Sequence, residues 1–99
     1  MTRRSRQRAK ARAFAEGWRI LMLRAYPDSD VPTNEELMKR GFAGAPPAPA
    51  GVRFHHVPTV EELTDILLGL SAAERLKYYL DPGIKAEVNR LSYAKWFRE

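Results

Sequence analysis

Residues 59–98 read TVEELTDILLGLSAAERLKYYLDPGIKAEVNRLSYAKWFR and contain three helix start signals in succession. The starts are Thr59 with Glu62, Ser71 with Glu74, and Asp81 with Pro82. The first two pairs have the spacing of a capping box, and the third places a proline at the first helical position after an N-cap. Apolar residues follow each start at helical spacing. The stretch therefore predicts three helices joined by tight turns, which form a compact antiparallel three-helix unit over residues 59–99.

A long helix is predicted at the amino end of the chain, within residues 1–26. Residues 3–26 are rich in alanine and arginine, which favour helix, and Pro27 ends the pattern. An apolar stripe runs through the second half of this helix, at Phe14, Trp18, Leu21, Met22 and Ala25. We expect that half to dock on the domain with Trp18 as a core anchor, and the first three turns to project outward.

Residues 27–58 are predicted to hold a short helix and a proline-rich linker. Thr33 and Glu36 have capping-box spacing, and Gly41 provides a stop. Residues 43–51, AGAPPAPAG, oppose helix and favour extended polyproline geometry, so we expect a surface linker or a strap lying across the core. Since no segment alternates between apolar and polar residues, the 99 residues are expected to form one all-α domain of about five helices.

The positive charge of the chain is concentrated at its amino end. Six of the 17 lysine and arginine residues precede the first acidic residue, Glu16, and all 12 acidic residues come from there onward. The rest of the chain is therefore close to neutral, although the whole carries a formal net charge of +5. A cationic arm on a near-neutral domain typically meets a polyanion such as nucleic acid, an acidic protein surface or an anionic membrane.

The cations of the first helix fall into two rows on a helical wheel. One row contains Arg4, Arg8, Arg12 and Arg19, and the other contains Arg6, Lys10 and Arg24. The predicted nucleic-acid-binding residues are Arg3, Arg4, Arg6, Arg8, Lys10, Arg12 and Arg19. The arginine guanidinium binds phosphate through two parallel hydrogen bonds and stacks on bases. Because like charges one turn apart destabilise a free helix, we expect the arm to be frayed until an anionic partner orders it.

RNA is the expected partner, free or within a nucleoprotein complex, with DNA as the alternative, because short arginine-rich helices fit widened RNA helices as well as DNA grooves. A protein partner with an acidic groove, and a solubilising tail without a specific partner, remain open.

We expect no membrane partner, since no apolar stretch approaches the ~20 residues of a transmembrane helix. A mitochondrial transit peptide is a further alternative to the expected cytoplasmic location. The oligomeric state stays open.

Aromatic and cationic residues are mixed near the carboxyl end of the chain. Tyr78, Tyr93, Trp96 and Arg98 form a candidate interface, and closure of the core is the alternative interpretation. The helix that starts at Ser71 is expected to bury a different set, namely Ala72, Ala73, Leu76, Tyr79 and Leu80. This assignment leaves the Tyr78 side chain on the exposed side of that helix.

Two further patterns are interpreted as structural. His55 and His56 are adjacent, and adjacent side chains on an extended segment point to opposite sides, so we expect no metal site. The turn at residues 69–71 resembles that of a helix-turn-helix, but Asp65 and Arg75 stand where a small and an apolar residue are needed. The segment is also net acidic, which disfavours DNA recognition by this motif.

No catalytic constellation is found in the sequence. The chain contains no cysteine, no glycine-rich phosphate loop and no HExxH motif, so we expect neither enzymatic activity nor a cofactor. The expected function is that of a small non-enzymatic regulator that binds nucleic acid through its arginine-rich helix. The alternative is a phage or bacterial accessory protein that binds and inhibits or adapts a larger host machine through protein contacts. A structural component of a virion or ribosome is a third class.

Overall fold

A computed structural model describes residues 2–33, 35–36, 39 and 45–96, without the side chains of 93–96. These residues contain four helices. The helices are α1 (Arg3–Ala25), α2 (Val60–Gly69), α3 (Ala72–Tyr79) and α4 (Pro82–Trp96). Over these ranges the chain forms no strand. The expectations of a helical protein with a long first helix and three helices in its carboxyl-terminal part are confirmed.

The short helix predicted after Thr33 falls largely outside the described residues. Glu35, Glu36 and Lys39 have helical backbone. The amide of Glu36 donates a hydrogen bond to Thr33 Oγ1 at 3.3 Å, as expected for a capping threonine. The remainder of that helix, its stop at Gly41 and the first residues of the proline-rich segment stay predictions.

Side chains at the predicted start positions cap the helices. Thr59 Oγ1 accepts a hydrogen bond from the Glu62 amide at 3.2 Å, and the Glu62 carboxylate accepts one from the Thr59 amide at 3.2 Å, which completes the capping box. Ser71 Oγ and Asp81 Oδ2 each accept a hydrogen bond from the amide three residues later, at 3.2 and 2.9 Å. These bonds satisfy amides that have no acceptor within their own helix, so the local sequence determines where each helix begins.

The first helix lies at the centre of the core. Its buried side chains are Ala11, Ala15, Trp18 and Met22. They form one apolar cluster with Leu63 and Leu67 of α2 and Ile84 of α4. The core anchor expected at Trp18 is confirmed, since this side chain is completely buried. The docked part of α1 begins at Ala11 rather than Phe14, and among the described residues its buried side chains share one cluster with those of the carboxyl-terminal helices.

A glycine allows α1 and α4 to approach closely. A Cβ atom at Gly17 would lie 3.0 Å from the carbonyl oxygen of Ile84 and 3.0 Å from Cγ2 of Val88. Real Cβ atoms rarely make contacts this short, and a backbone oxygen moves only with its helix. The absence of a side chain at Gly17 therefore sets the distance between the two helices.

The proline-rich segment crosses the core as a strap, which we define as residues 45–58. Ala45 and Pro49 are buried, and the hydroxyl of Tyr78 donates a hydrogen bond to the carbonyl oxygen of Pro47 at 2.7 Å. The far end of the strap pairs with the turn after α1 through an isolated antiparallel bridge between Asp30 and His56. Of the two expectations for this segment, the structure fits the strap.

Arg75 holds the turn between α2 and α3. Its Nε donates a hydrogen bond to the carbonyl oxygen of Leu67 at 2.8 Å. Its Nη2 donates to the carbonyl oxygens of Leu68 and Leu70 at 3.1 and 2.9 Å. A guanidinium at this position donates hydrogen bonds to carbonyl groups at the end of α2, where the helix itself provides few donors, and complements the helix dipole. The Leu67 oxygen also accepts a hydrogen bond from the Leu70 amide at 3.2 Å. This role explains why an arginine occupies a position that a helix-turn-helix would fill with an apolar residue.

Candidate nucleic-acid interface

The first turn of α1 carries three exposed cations. Arg3, Arg4 and Arg6 are exposed, and within the described residues no carboxylate lies within ion-pair distance of any of them. The backbone is helical from Arg3 onward, and Thr2 Oγ1 caps it by accepting a hydrogen bond from the Ser5 amide at 3.1 Å. We call Arg3, Arg4 and Arg6 the cationic tip.

Arg8 and Arg12 contact carboxylates of α2. Nη1 of Arg8 lies 3.0 Å from Oδ1 of Asp65, and Nη2 lies 3.1 Å from Oε2 of Glu61. The guanidinium of Arg12 pairs with the other Glu61 oxygen and lies 3.8 Å, through Nε, from Glu16. The hydrogen bond and the charge of Asp65 are the main causes that raise the pKa of Arg8 above its ordinary value, and Glu61 adds to them. We call Arg8, Arg12, Glu61 and Asp65 the seam cluster.

Lys10 and Arg19 also contact neighbouring elements. Nζ of Lys10 lies 5.0 Å from the centre of the Tyr79 ring, a cation–π distance. That ring also contacts Phe14 at a centroid distance of 4.5 Å, and its partial burial raises the pKa of its hydroxyl. Nε of Arg19 donates a hydrogen bond to the carbonyl oxygen of Pro58 at 3.0 Å. Arg19 thus links the end of the strap to α1.

The seven cations that the sequence assigns to one site therefore serve different purposes. The cationic tip faces solvent, Lys10 lies beside it over an aromatic ring, Arg8 and Arg12 share two carboxylates, and Arg19 holds the backbone of the strap. The arm is helical from Arg3 and continuous with the docked part of α1, and is not the frayed segment expected from the repulsion of its like charges, because Arg8 and Arg12 pair with carboxylates of α2. Four cations, Arg3, Arg4, Arg6 and Lys10, thus remain for a polyanion without any change in the ion pairs of the protein.

A second charged cluster was not identified from the sequence. Glu87 of α4 is 7% exposed, pairs with Arg24 and accepts a hydrogen bond from Nε of Arg90 at 2.8 Å. The hydrogen bond from Arg90 is the largest cause that lowers the pKa of Glu87, and Arg24 adds to it, although burial acts in the opposite direction. The spacing of three residues between Glu87 and Arg90 was the available signal. This cluster ties α1 to α4.

The assignment of Tyr78 to an exposed interface is wrong. Its side chain is 6% exposed and its ring lies 4.3 Å from that of Trp18, while burial, followed by the charge of Glu74, raises the pKa of its hydroxyl to about 12. Leu76 and Leu80, which were assigned to the core, are instead 50% and 58% exposed. The buried side of α3 is thus rotated relative to the predicted stripe, because Trp18 packs against Tyr78.

The other candidate interface residues lie beyond what the structure describes. Tyr93 and Trp96 belong to α4, but their side chains are outside the described residues, as is all of Arg98. His55 and His56 are exposed in the strap, where His56 Nδ1 lies 3.2 Å from Asp30 Oδ1. Among the described residues, no three histidine or carboxylate side chains are grouped so that they could hold a metal ion.

Comparison of the chain with protein-family models, with curated proteins and with solved structures finds no match. None of the described helices combines the length and the apolar character needed to cross a membrane.

Proposed function

We propose that this protein is a small non-enzymatic regulator that binds nucleic acid, RNA in preference to DNA, through the amino-terminal turns of α1. The observation that carries the proposal is the cationic tip, whose three guanidinium groups are exposed on a capped helix and pair with no carboxylate in the part of the chain that the structure describes. Arginine suits this role because its planar fork binds a phosphate with two hydrogen bonds and stacks on bases.

The anchoring of α1 supports a positioned contact. The helix is continuous from the tip to side chains that are fully buried from Ala11 onward, so the tip has a defined direction relative to the domain. A group that is held in place before binding loses less conformational freedom when the complex forms. Arg3, Arg6 and Lys10 follow one another at i, i+3 and i+7 and lie on one side of the helix, whereas Arg4 lies on another side and begins the row of Arg8 and Arg12, so a ligand that contacts all of these cations wraps around the helix. A phosphate backbone that runs along this side would meet three cations.

The proposal is tested by the binding of fluorescent single-stranded RNA, hairpin RNA and duplex DNA at several salt concentrations. The variant Arg3→Gln/Arg4→Gln/Arg6→Gln loses three charges at the tip. The matched control, Lys39→Gln/Arg53→Gln/Lys85→Gln, loses three charges at other exposed positions. We expect the tip variant to bind at least about tenfold more weakly and to reduce the slope of log K against log salt by about 2, since each phosphate contact contributes about 0.7 on a single strand. Equal affinities of the tip variant and the parent would refute the proposal.

A second candidate function is that of an accessory protein that binds and inhibits or adapts a larger machine. The observation that favours it is the exposure of Leu76, within α3, and of Leu80, the C-cap residue of that helix, which is four residues further along the chain. Exposed leucines of this kind are typical of protein contact surfaces when they are adjacent. Capture of one protein from nuclease-treated lysate by the parent, and its loss with Leu76→Gln/Leu80→Gln, would favour this function over nucleic-acid binding.

A further inference from the structure

The seam cluster is accessible to an anion from solvent. The side chains of Arg8 and Arg12 are 48% and 53% exposed, and those of Glu61 and Asp65 are 55% and 66% exposed. Glu61 binds both guanidinium groups, one with each carboxylate oxygen, while Asp65 binds Arg8 alone. The four side chains therefore form a surface network in which two carboxylates occupy the hydrogen-bonding edges of two arginines.

Ion pairs of this kind are weak and exchangeable. Each exposed pair contributes little to stability, because water screens the charges and two long side chains must be held in one geometry. A phosphate presents the same arrangement of acceptor oxygens to a guanidinium as a carboxylate does. Phosphates could therefore take the place of the two carboxylates at the guanidinium groups of Arg8 and Arg12. The arginines would keep the same number of hydrogen bonds, and the free-energy cost of displacing the exposed carboxylates would be small.

The seam cluster lies next to the cationic tip along α1, so a nucleic acid bound at the tip can reach it. Arg4, Arg8 and Arg12 follow one another at intervals of four residues along α1, which corresponds to about 6 Å of helix per step. A nucleic acid bound at Arg4 thus has Arg8 as its next neighbour along the same row. Arg19 is the last residue of this row, and it donates a hydrogen bond to the carbonyl oxygen of Pro58 in the strap.

We infer that Arg8 and Arg12 are a covered extension of the nucleic-acid surface, which Glu61 and Asp65 occupy in the free protein and which phosphates take over on binding. The inference rests on the proposed function and adds to it a regulation of the same site. In the free protein the acidic residues of α2 limit binding to four cations, and a ligand long enough to reach the seam cluster gains two more. Glu61 and Asp65 thereby reduce the affinity for short or weakly charged ligands.

The test compares the variant Glu61→Gln/Asp65→Asn with the control Asp28→Asn/Glu35→Gln. Both change the net charge by the same amount, but Asp28 and Glu35 are exposed and lie outside the seam cluster. With single-stranded RNA as the probe, we expect the seam variant to bind about tenfold more tightly than the parent. With a short RNA, whose few phosphates do not displace the two carboxylates of the parent, the slope of log K against log salt should steepen from about −2.8 for four cations in the parent to about −4.2 for six in the seam variant, while the control variant keeps the slope of the parent. With a longer RNA that displaces the carboxylates, the parent and the seam variant should both approach about −4.2.

A further variant assigns the gain to the two arginines. Addition of Arg8→Gln/Arg12→Gln to the seam variant should remove the tenfold gain, and thermal unfolding should show that every variant compared is folded. An unchanged affinity and slope in the seam variant, or an equal gain in the control, would overturn the inference and leave the proposed function intact. Failure of the parent to bind RNA in any salt would overturn the proposed function itself.

Discussion

Replacement of Gly17 by alanine tests the packing of the first helix on the last. Alanine favours a helix interior over glycine by about 1 kcal/mol, so the change should stabilise α1 if nothing were in contact with the site. The new Cβ, however, would lie 3.0 Å from the Ile84 carbonyl oxygen and 3.0 Å from Val88 Cγ2. Overpacking of a filled interior typically costs about 1–3 kcal/mol. We therefore expect a net loss of about 1 kcal/mol, which lowers the melting temperature of a domain of this size by about 4–8 °C.

Two other helical glycines provide matched controls for this prediction. A Cβ at Gly69 meets no atom within 4 Å, so Gly69→Ala should raise stability by up to about 1 kcal/mol. A Cβ at Gly83 meets Cδ1 of Leu21 at 3.0 Å, but that methyl group is the end of a flexible side chain, so Gly83→Ala should fall between the other two. Urea unfolding followed by circular dichroism measures all three. A Gly17→Ala protein as stable as Gly69→Ala would refute the close approach of α1 and α4.

Three further predictions concern groups that hold the helices and the strap. Tyr78→Phe removes the hydrogen bond to the strap and should lower the free energy of unfolding by about 1 kcal/mol. Because burial raises the pKa of Tyr78 to about 12, the parent should lose stability as the pH rises from about 10 towards 12. Unfolding measured at alkaline pH should show a smaller loss in Tyr78→Phe. Glu87→Gln should cost about 1–3 kcal/mol at pH 7. The pKa of Glu87 is lowered in the folded protein, so its contribution to the free energy of unfolding is present above the ordinary carboxylate pKa and disappears as the pH falls through the lowered value. The free energies of unfolding of the parent and the variant should therefore converge as both are titrated with acid. Arg75→Gln should lower the free energy of unfolding by about 1–2 kcal/mol, and hydrogen exchange should show faster opening at the end of α2.

The starts of the carboxyl-terminal helices could be predicted because their determinants are local. Thr59 and Glu62 are three residues apart, and the hydrogen bonds between them are the same in any fold that contains the helix. The rotation of α3 could not be predicted in this way. This helix has eight residues with apolar side chains on more than one side, and a contact with Trp18, sixty residues earlier in the chain, determines that Tyr78 is buried while Leu76 is exposed.

The candidate site shows the same division between local and distant determinants. A helical wheel is sufficient to place Arg4, Arg8 and Arg12 in one row, because a helix has a fixed period. It contains no information on which element packs beside that row. The partners Glu61 and Asp65 are four residues apart on α2, and only the packing of α2 against α1 brings them to Arg8. The sequence therefore predicts the helix that carries the cations, but not the carboxylates that pair with them.

Because α1 is one continuous helix, the number of residues between its charged turns and its buried residues determines the direction in which the amino-terminal guanidinium groups point. A helix turns by about 100° per residue, so one alanine inserted between Arg6 and Ala11 would rotate those groups by that angle about the helix axis. The net charge would be unchanged and the composition would differ by a single alanine, yet the three groups would be turned to another side of the molecule. The segment between the charged turns and the buried residues therefore has a restricted length, although its side chains are exposed almost throughout.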